Sequence, residues 1–146
     1  MAADLRLRIL ESITDVPASA WDALAGPEAP PFIRHAWLSA MEESGSARLE
    51  TGWEPQHLTI WRGKQLVAAS PAYRKHHSMG EYIYDFAWAS VAERLGLEYY
   101  PKLVVGAPLS PATSQRFLIA PGEDVPALRR ALLQGALESA RQALTS

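Results

Sequence analysis

The segment Lys75–Asp85 gathers two histidines, a serine, a glutamate, two tyrosines and an aspartate around Gly80. A polar, glycine-containing stretch bounded by aromatics suits the wall of a cleft. Glu81 stands between Gly80 and Tyr82, outside any helix interior, and is the candidate catalytic residue. A carboxylate within hydrogen-bond reach of an attacking amine can take its proton, and a histidine of the segment is the alternative base. His76, His77, Ser78, Tyr82 and Asp85 are the candidate substrate-binding groups beside it. Asp85 has a second reading, as the cap of a following helix that accepts first-turn backbone N–H bonds.

A second motif, Tyr99-Tyr100-Pro101-Lys102, adds Tyr100 and Lys102 to the candidate binding set. A lysine beside paired tyrosines at the mouth of a strand can hold an anionic or carboxylate group. The alternative packs one tyrosine in the core and lets Lys102 snorkel to solvent. No metal site is expected. His76 and His77 are adjacent, and neighbouring side chains in an extended strand point to opposite faces, while His35 and His57 lie far off. Zero cysteines exclude disulfides, thiolate zinc sites, iron–sulfur clusters and cysteine nucleophiles. There is no Gly-x-Ser-x-Gly elbow and no glycine-rich phosphate loop of the nucleotide-binding kinds.

The elements that must position these residues follow from periodicity and punctuation. Leu5, Leu7 and Ile9 alternate with Arg6 and Arg8 as in a half-buried strand. Asp15 and Pro17 open a short helix carrying Trp21 and Leu24, and Gly26-Pro27 stops it. A Pro-rich connector leads to a second helix from about His35 to Ser44, with Trp37, Leu38 and Met41 on its apolar face. After a polar loop, His57–Trp61 and Leu66–Tyr73 flank Arg62-Gly63-Lys64-Gln65 as a β-hairpin. Pro71 places part of the second run at an edge or a bulge. Asp85 begins a third helix with Trp88, Val91, Ala92 and Leu95 as a buried stripe. Leu103–Val105 reads as a central strand and Gln115–Ile119 as one more. Asp124 caps a long helix with Leu128, Leu132, Ala136, Ala140 and Leu144 on one face. The expected class is α/β, a mixed β-sheet flanked by helices.

With 146 residues, one domain is expected, and a formal net charge of −2 argues against DNA as a partner. No apolar run reaches the length of a membrane span, and the first residues lack the apolar core of a signal peptide. A cytoplasmic protein is expected.

Several ordered motifs between Pro31 and Phe117 carry a family resemblance. They are Pro31–Leu38 with Met41–Ser46, Thr51–Trp53 with Pro55–Leu58, His77–Ala89, Tyr99–Leu103 and Pro108–Thr113. Together they resemble the bacterial FemAB-related proteins of peptidoglycan biosynthesis or recognition, a branch of the GNAT acyltransferase superfamily. The element order also approximates the opening of a GNAT-like, acyl-CoA N-acyltransferase-like fold. The resemblance implies a longer protein with two GNAT-like halves, of which this chain is the N-terminal portion. It implies acyl or aminoacyl transfer to a small-molecule or peptide-like amine, with a cell-wall precursor as acceptor and acyl-CoA or aminoacyl-tRNA as donor to the full-length protein. The C-terminal half is the implied partner. The alternative is a non-catalytic recognition module on a GNAT-like fold. No cofactor is expected on this chain alone, because Ala120-Pro121-Gly122-Glu123-Asp124 stands where a pyrophosphate loop would precede the long helix.

Overall fold

The computed structural model describes residues 5–145. Their order is β1 (Leu5–Leu10), α1 (Ala18–Ala25), α2 (His35–Glu43), β2 (Trp53–Pro55), β3 (His57–Arg62), β4 (Gln65–Ser70), β5 (Ala72–Lys75), α3 (Phe86–Arg94), β6 (Lys102–Val105), β7 (Leu118–Ile119) and α4 (Val125–Thr145). The class is α/β. The strands, however, form two antiparallel sheets rather than one mixed sheet. One runs β1-β3-β4-β7 and the other β2-β5-β6.

Pro71 explains the division. The second hairpin run pairs with β3 as far as Ser70 opposite Leu58. Proline then offers no N–H to continue the ladder. Beyond it, β5 pairs with β2 on one side and β6 on the other, so a single sequence run serves both sheets.

The first sheet is covered on both faces. On one side Trp21, Leu24, Ile33 and Leu38 pack with Leu66, Ala69 and Leu118. On the other, Leu128, Leu132 and Ala136 of α4 pack on Leu58, Ile60, Val67 and Ala68. Burial on both faces is why β3 and β4 read as apolar runs rather than as alternation. In α4, Asp124 accepts the Ala127 N–H at 3.0 Å, which is the expected cap. Leu128, Leu132 and Ala136 of its expected face are buried, Ala140 is half-buried, and the Leu144 side chain lies outside the described ones.

Polar pegs fix α1 and α2 to the sheet. Glu42 accepts Ser12 Oγ at 2.8 Å, the Ile13 N–H at 3.0 Å and His57 Nε2–H at 2.8 Å. His57 Nδ1 accepts the Ala72 N–H at 3.3 Å, so both ring nitrogens are used. Trp21 Nε1 donates to Ile33 O at 2.9 Å.

Three expectations are corrected. β1 is an edge strand, and Leu5, Leu7 and Ile9 stay 44%, 39% and 36% exposed, with Leu7 touching α4 only where Gly135 leaves room. β6 is also an edge, not a centre, because the chain leaves the second sheet there. The stripe of α3 is not buried: Trp88 is 71% and Leu95 67% exposed. Periodicity shows that one face of a helix is apolar, not that anything covers it.

Candidate functional site

The second sheet delivers the site. β5 ends at Lys75, opposite Lys102 at the start of β6, and opposite Trp53 on β2. The loop after β5 carries Ser78, Gly80 and Glu81 and leads to Asp85 at the threshold of α3. Gly80 takes φ +79, and a Cβ there would sit 2.7 Å from Trp53 Nε1, so only glycine lets the loop lie on the indole.

Asp85 is the hub. It stands at the position that caps α3 but makes no side-chain cap bond. Its Oδ1 accepts from Ser78 Oγ and from the Tyr100 hydroxyl at 3.1 Å. Its Oδ2 accepts from the Tyr99 hydroxyl at 2.9 Å and pairs with Lys102 Nζ. The cap reading therefore gives way, because four stronger donors claim both oxygens. Burial by itself would raise the Asp85 pKa. The bonds from Lys102, Ser78, Tyr99 and Tyr100 outweigh it and hold the carboxyl well below the usual range.

Lys102 shows the converse balance. Burial lowers its pKa, but the Asp85 bond, with the charges of Glu81 and Asp85, raises it more. The ammonium lies over the Tyr99 and Tyr100 rings, 5.1 and 5.4 Å from their centroids. Both tyrosines turn their hydroxyls to Asp85 and neither is buried in the core, which overturns the core-tyrosine alternative. Burial raises the pKa of each phenol, so both remain donors at neutral pH.

Glu81 differs from Asp85. Its side chain is only 16% exposed and lies 3.5 Å from Lys102 Nζ. Its Oε1 is buried and has no hydrogen-bond partner among the described residues. It opens on a cleft of about 360 Å³, with Tyr82 on one wall and Val104, Val105 and Leu109 supplying apolar surface. That volume suits a small ligand. A second depression of about 450 Å³ shares Gly80, Glu81, Tyr82 and Leu109, so Glu81 stands between the two.

The structure thus brings together Ser78, Glu81, Asp85, Tyr100 and Lys102, with Tyr82 lining the adjoining cleft. It does not bring in the histidines. His76 bonds to Glu54 at 2.9 Å, and His77 lies against Gly52 and accepts the Met79 N–H at 3.1 Å. Both follow the end of β5, where the chain bends toward Gly52 and Glu54 and away from Asp85. Sequence reasoning missed Tyr99, Trp53 and Lys75. Lys75 is fully buried, donates to Met79 O and sits 4.2 Å over the Trp53 ring. Burial, first of all, lowers its pKa. A lysine among apolar strand positions gives no local signal of that seat. Among the described residues no group of three or more histidine, aspartate or glutamate side chains is placed to hold a metal ion.

The family model for FemAB-like proteins, described as peptidoglycan biosynthesis/recognition, matches residues 12–146. The chain belongs to the FemAB-like family. That membership ties it to the making or recognition of peptidoglycan and covers every residue of the Asp85 cluster. No curated protein and no solved structure gives a significant match. No described helix of this FemAB-like chain is long and apolar enough to cross a membrane.

Proposed function

We propose that the chain forms the acceptor side of an acyl- or aminoacyl-transferase that acts on an amine of a cell-wall precursor. The carrying observation is Glu81, whose buried Oε1 makes no hydrogen bond and meets only a long ion pair from Lys102 Nζ, at 3.5 Å. An amine N–H entering the cleft supplies the missing donor. The amine nitrogen attacks the carbonyl carbon of a thioester or ester, and the N–C bond forms as the C–S or C–O bond breaks. Glu81 takes the proton the nitrogen loses, and the leaving thiolate or alkoxide is protonated in turn. Lys102 has three N–H donors, of which Asp85 engages one, so it can also face an oxygen of the substrate.

The donor, acyl-CoA or aminoacyl-tRNA, is held elsewhere, by a C-terminal GNAT-like half of a longer cytoplasmic protein. The start of α4 supports this assignment. Pro126 has no N–H, and the Ala127 and Leu128 N–H groups already bond to Asp124. Glu123 is paired with Arg62, so the turn is occupied by its own contacts rather than simply repelling an anion. A non-catalytic recognition module would use the same cleft, and the same occupied turn favours it as the second reading.

The test is Glu81→Gln in the full-length protein, with an amine-bearing cell-wall peptide and each donor in turn. Transfer should fall by about 10²–10⁴-fold, the range of a lost general base. The melting temperature should fall by only a few degrees, since glutamine keeps the shape, Lys102 keeps Asp85, and the loss is one long ion pair of about 1 kcal/mol or less. Unchanged transfer, or loss that tracks unfolding, overturns the proposal.

A further inference from the structure

We propose that Arg116 is the second pole of this cleft and binds an oxyanion, a carboxylate or a phosphate, carried by the same ligand that presents its amine to Glu81. The inference rests on the amine-acceptor reading and narrows it: the ligand is an amine that also bears an acidic group, not a simple amine.

Arg116 lines the cleft that Glu81 and Lys102 also line. The charges there are unevenly matched. Lys102 is held by Asp85 and has Glu81 at 3.5 Å. Arg116 has no carboxylate partner among the described residues, whereas Arg48, Arg62 and Arg74 each pair with a glutamate. The main chain at Arg116 is pinned, since its carbonyl accepts Ser70 Oγ at 2.6 Å from the end of β4. Its side chain is exposed, and its guanidinium passes close to the Gly106 backbone. Gly106 follows β6 at φ +149, and a Cβ there would run into Arg116 Nη1. Glycine at that position lets the planar group lie across the backbone at the cleft wall. A guanidinium with no counter-charge presents a flat fork of donors, the geometry that takes carboxylate or phosphate by two parallel bonds.

Trp53 lines the cleft as well, but its buried Nε1 lies under the Gly80 loop and is covered from the ligand. The polar inventory is then Glu81, beside Lys102, set against the guanidinium of Arg116. Val104, Val105, Ala107 and Leu109 line the same cleft and match an apolar spacer. A ligand with an ammonium end, a short aliphatic stretch and an acidic end satisfies all three parts together. A peptide end with a free carboxylate has this form, and so does a phosphorylated amine.

The experiment is calorimetric titration of the full-length protein without any donor, so that transfer is not required. Three probes are used: an amine-bearing cell-wall peptide with a free carboxylate, the same peptide as its carboxamide, and a phosphorylated amine of similar length. The wild type should bind the acidic forms at least ten-fold more tightly than the carboxamide. Arg116→Gln should remove that preference and leave carboxamide binding unchanged, and Arg116→Lys should restore part of it. Loss confined to the carboxylate or to the phosphate identifies which group Arg116 takes. Equal binding of acidic and carboxamide forms, or a preference that survives Arg116→Gln, overturns the inference. If the preference depends on Arg116 but no donor gives transfer, Arg116 stands and the transferase reading falls. If transfer occurs and Arg116→Gln changes neither affinity nor the KM of the acceptor, the transferase stands and this inference falls.

Discussion

Asp85→Asn is the perturbation that reads the site most directly. The carboxylate collects four donors on two oxygens, and its side chain is only 13% exposed. Asparagine keeps the shape but offers one acceptor oxygen and an NH₂. That NH₂ can face Ser78 and Tyr100, whose hydroxyls can turn to accept. It cannot face Lys102, which has only donors. The loss is therefore one charge-assisted ion pair and the strengthening that charge gave the hydroxyl bonds. A hydrogen bond to a charged group contributes about 1.5–3 kcal/mol, and breaking one side of a buried pair costs about 3–5 kcal/mol. Lys102 is 26% exposed and keeps Glu81 at 3.5 Å, which places the loss at the lower end, about 3 kcal/mol. For a chain of this length that is roughly 10 °C in melting temperature.

Circular dichroism melts of wild type, Asp85→Asn, Lys102→Met and the double variant form the assay. The double variant should be less destabilised than the sum of the singles by about 2 kcal/mol. The pH dependence follows from the direction of the Asp85 shift. A carboxyl lowered in the folded state contributes its full stability above the unfolded pKa, about 3.9, and loses it as pH falls through the folded value. The gap between wild type and Asp85→Asn should stay constant from pH 8 to about 5 and close only below about 4. A drop of less than about 3 °C at neutral pH, or a gap that closes near pH 6, would refute the network as a buried hub.

Two further outcomes are expected. Trp88→Ser on the exposed face of α3 should change stability by no more than about 0.5 kcal/mol in a urea titration, and a loss above about 2 kcal/mol would mean that the stripe is buried after all. Residues 1–146 by themselves should show no saturable low-micromolar binding of acetyl-CoA by calorimetry, and such binding would place the donor site at the start of α4.

Much of the fold is legible where one residue type enforces one geometry. Gly26-Pro27 ends α1, Asp124 starts α4, and Gly63 turns the hairpin, each for a local steric or hydrogen-bonding reason. What is not legible depends on neighbours distant in the chain. β2 has three residues and no period to detect, and becomes a strand because β5 lies beside it. β6 and α3 have apolar patterns, but the pattern does not say whether a second layer covers them. The same divide runs through the site. Ser78, Glu81 and Asp85 are visible as a dense polar run, and Tyr100 and Lys102 as a motif. That these two stretches meet at one carboxylate requires the β5–β6 register, which sets Lys75 opposite Lys102. Arg116 has no motif around it, and its place at the cleft depends on how the β6–β7 connection folds back past Gly106.

Two glutamates in this chain show how a structural carboxylate and an available one differ. Glu42 and Glu81 are enclosed to a similar degree, with side chains 10% and 16% exposed. Glu42 spends its oxygens on Ser12, Ile13 and His57, and thereby ties α2 to the start of the chain and to β3. Nothing is left with which to meet a ligand. Glu81 keeps a buried oxygen without a hydrogen bond, met only by the Lys102 ammonium at 3.5 Å. Asp85 holds Lys102 Nζ on its own Oδ2, which keeps the ammonium at ion-pair distance from Glu81 Oε1 rather than at hydrogen-bond distance. A fold selected only for stability would place an apolar residue at this position or supply a donor. Local inconsistency of this kind concentrates at functional sites, where a ligand completes what the chain leaves open. At Glu81 the missing part is an N–H donor, and an amine has one to give.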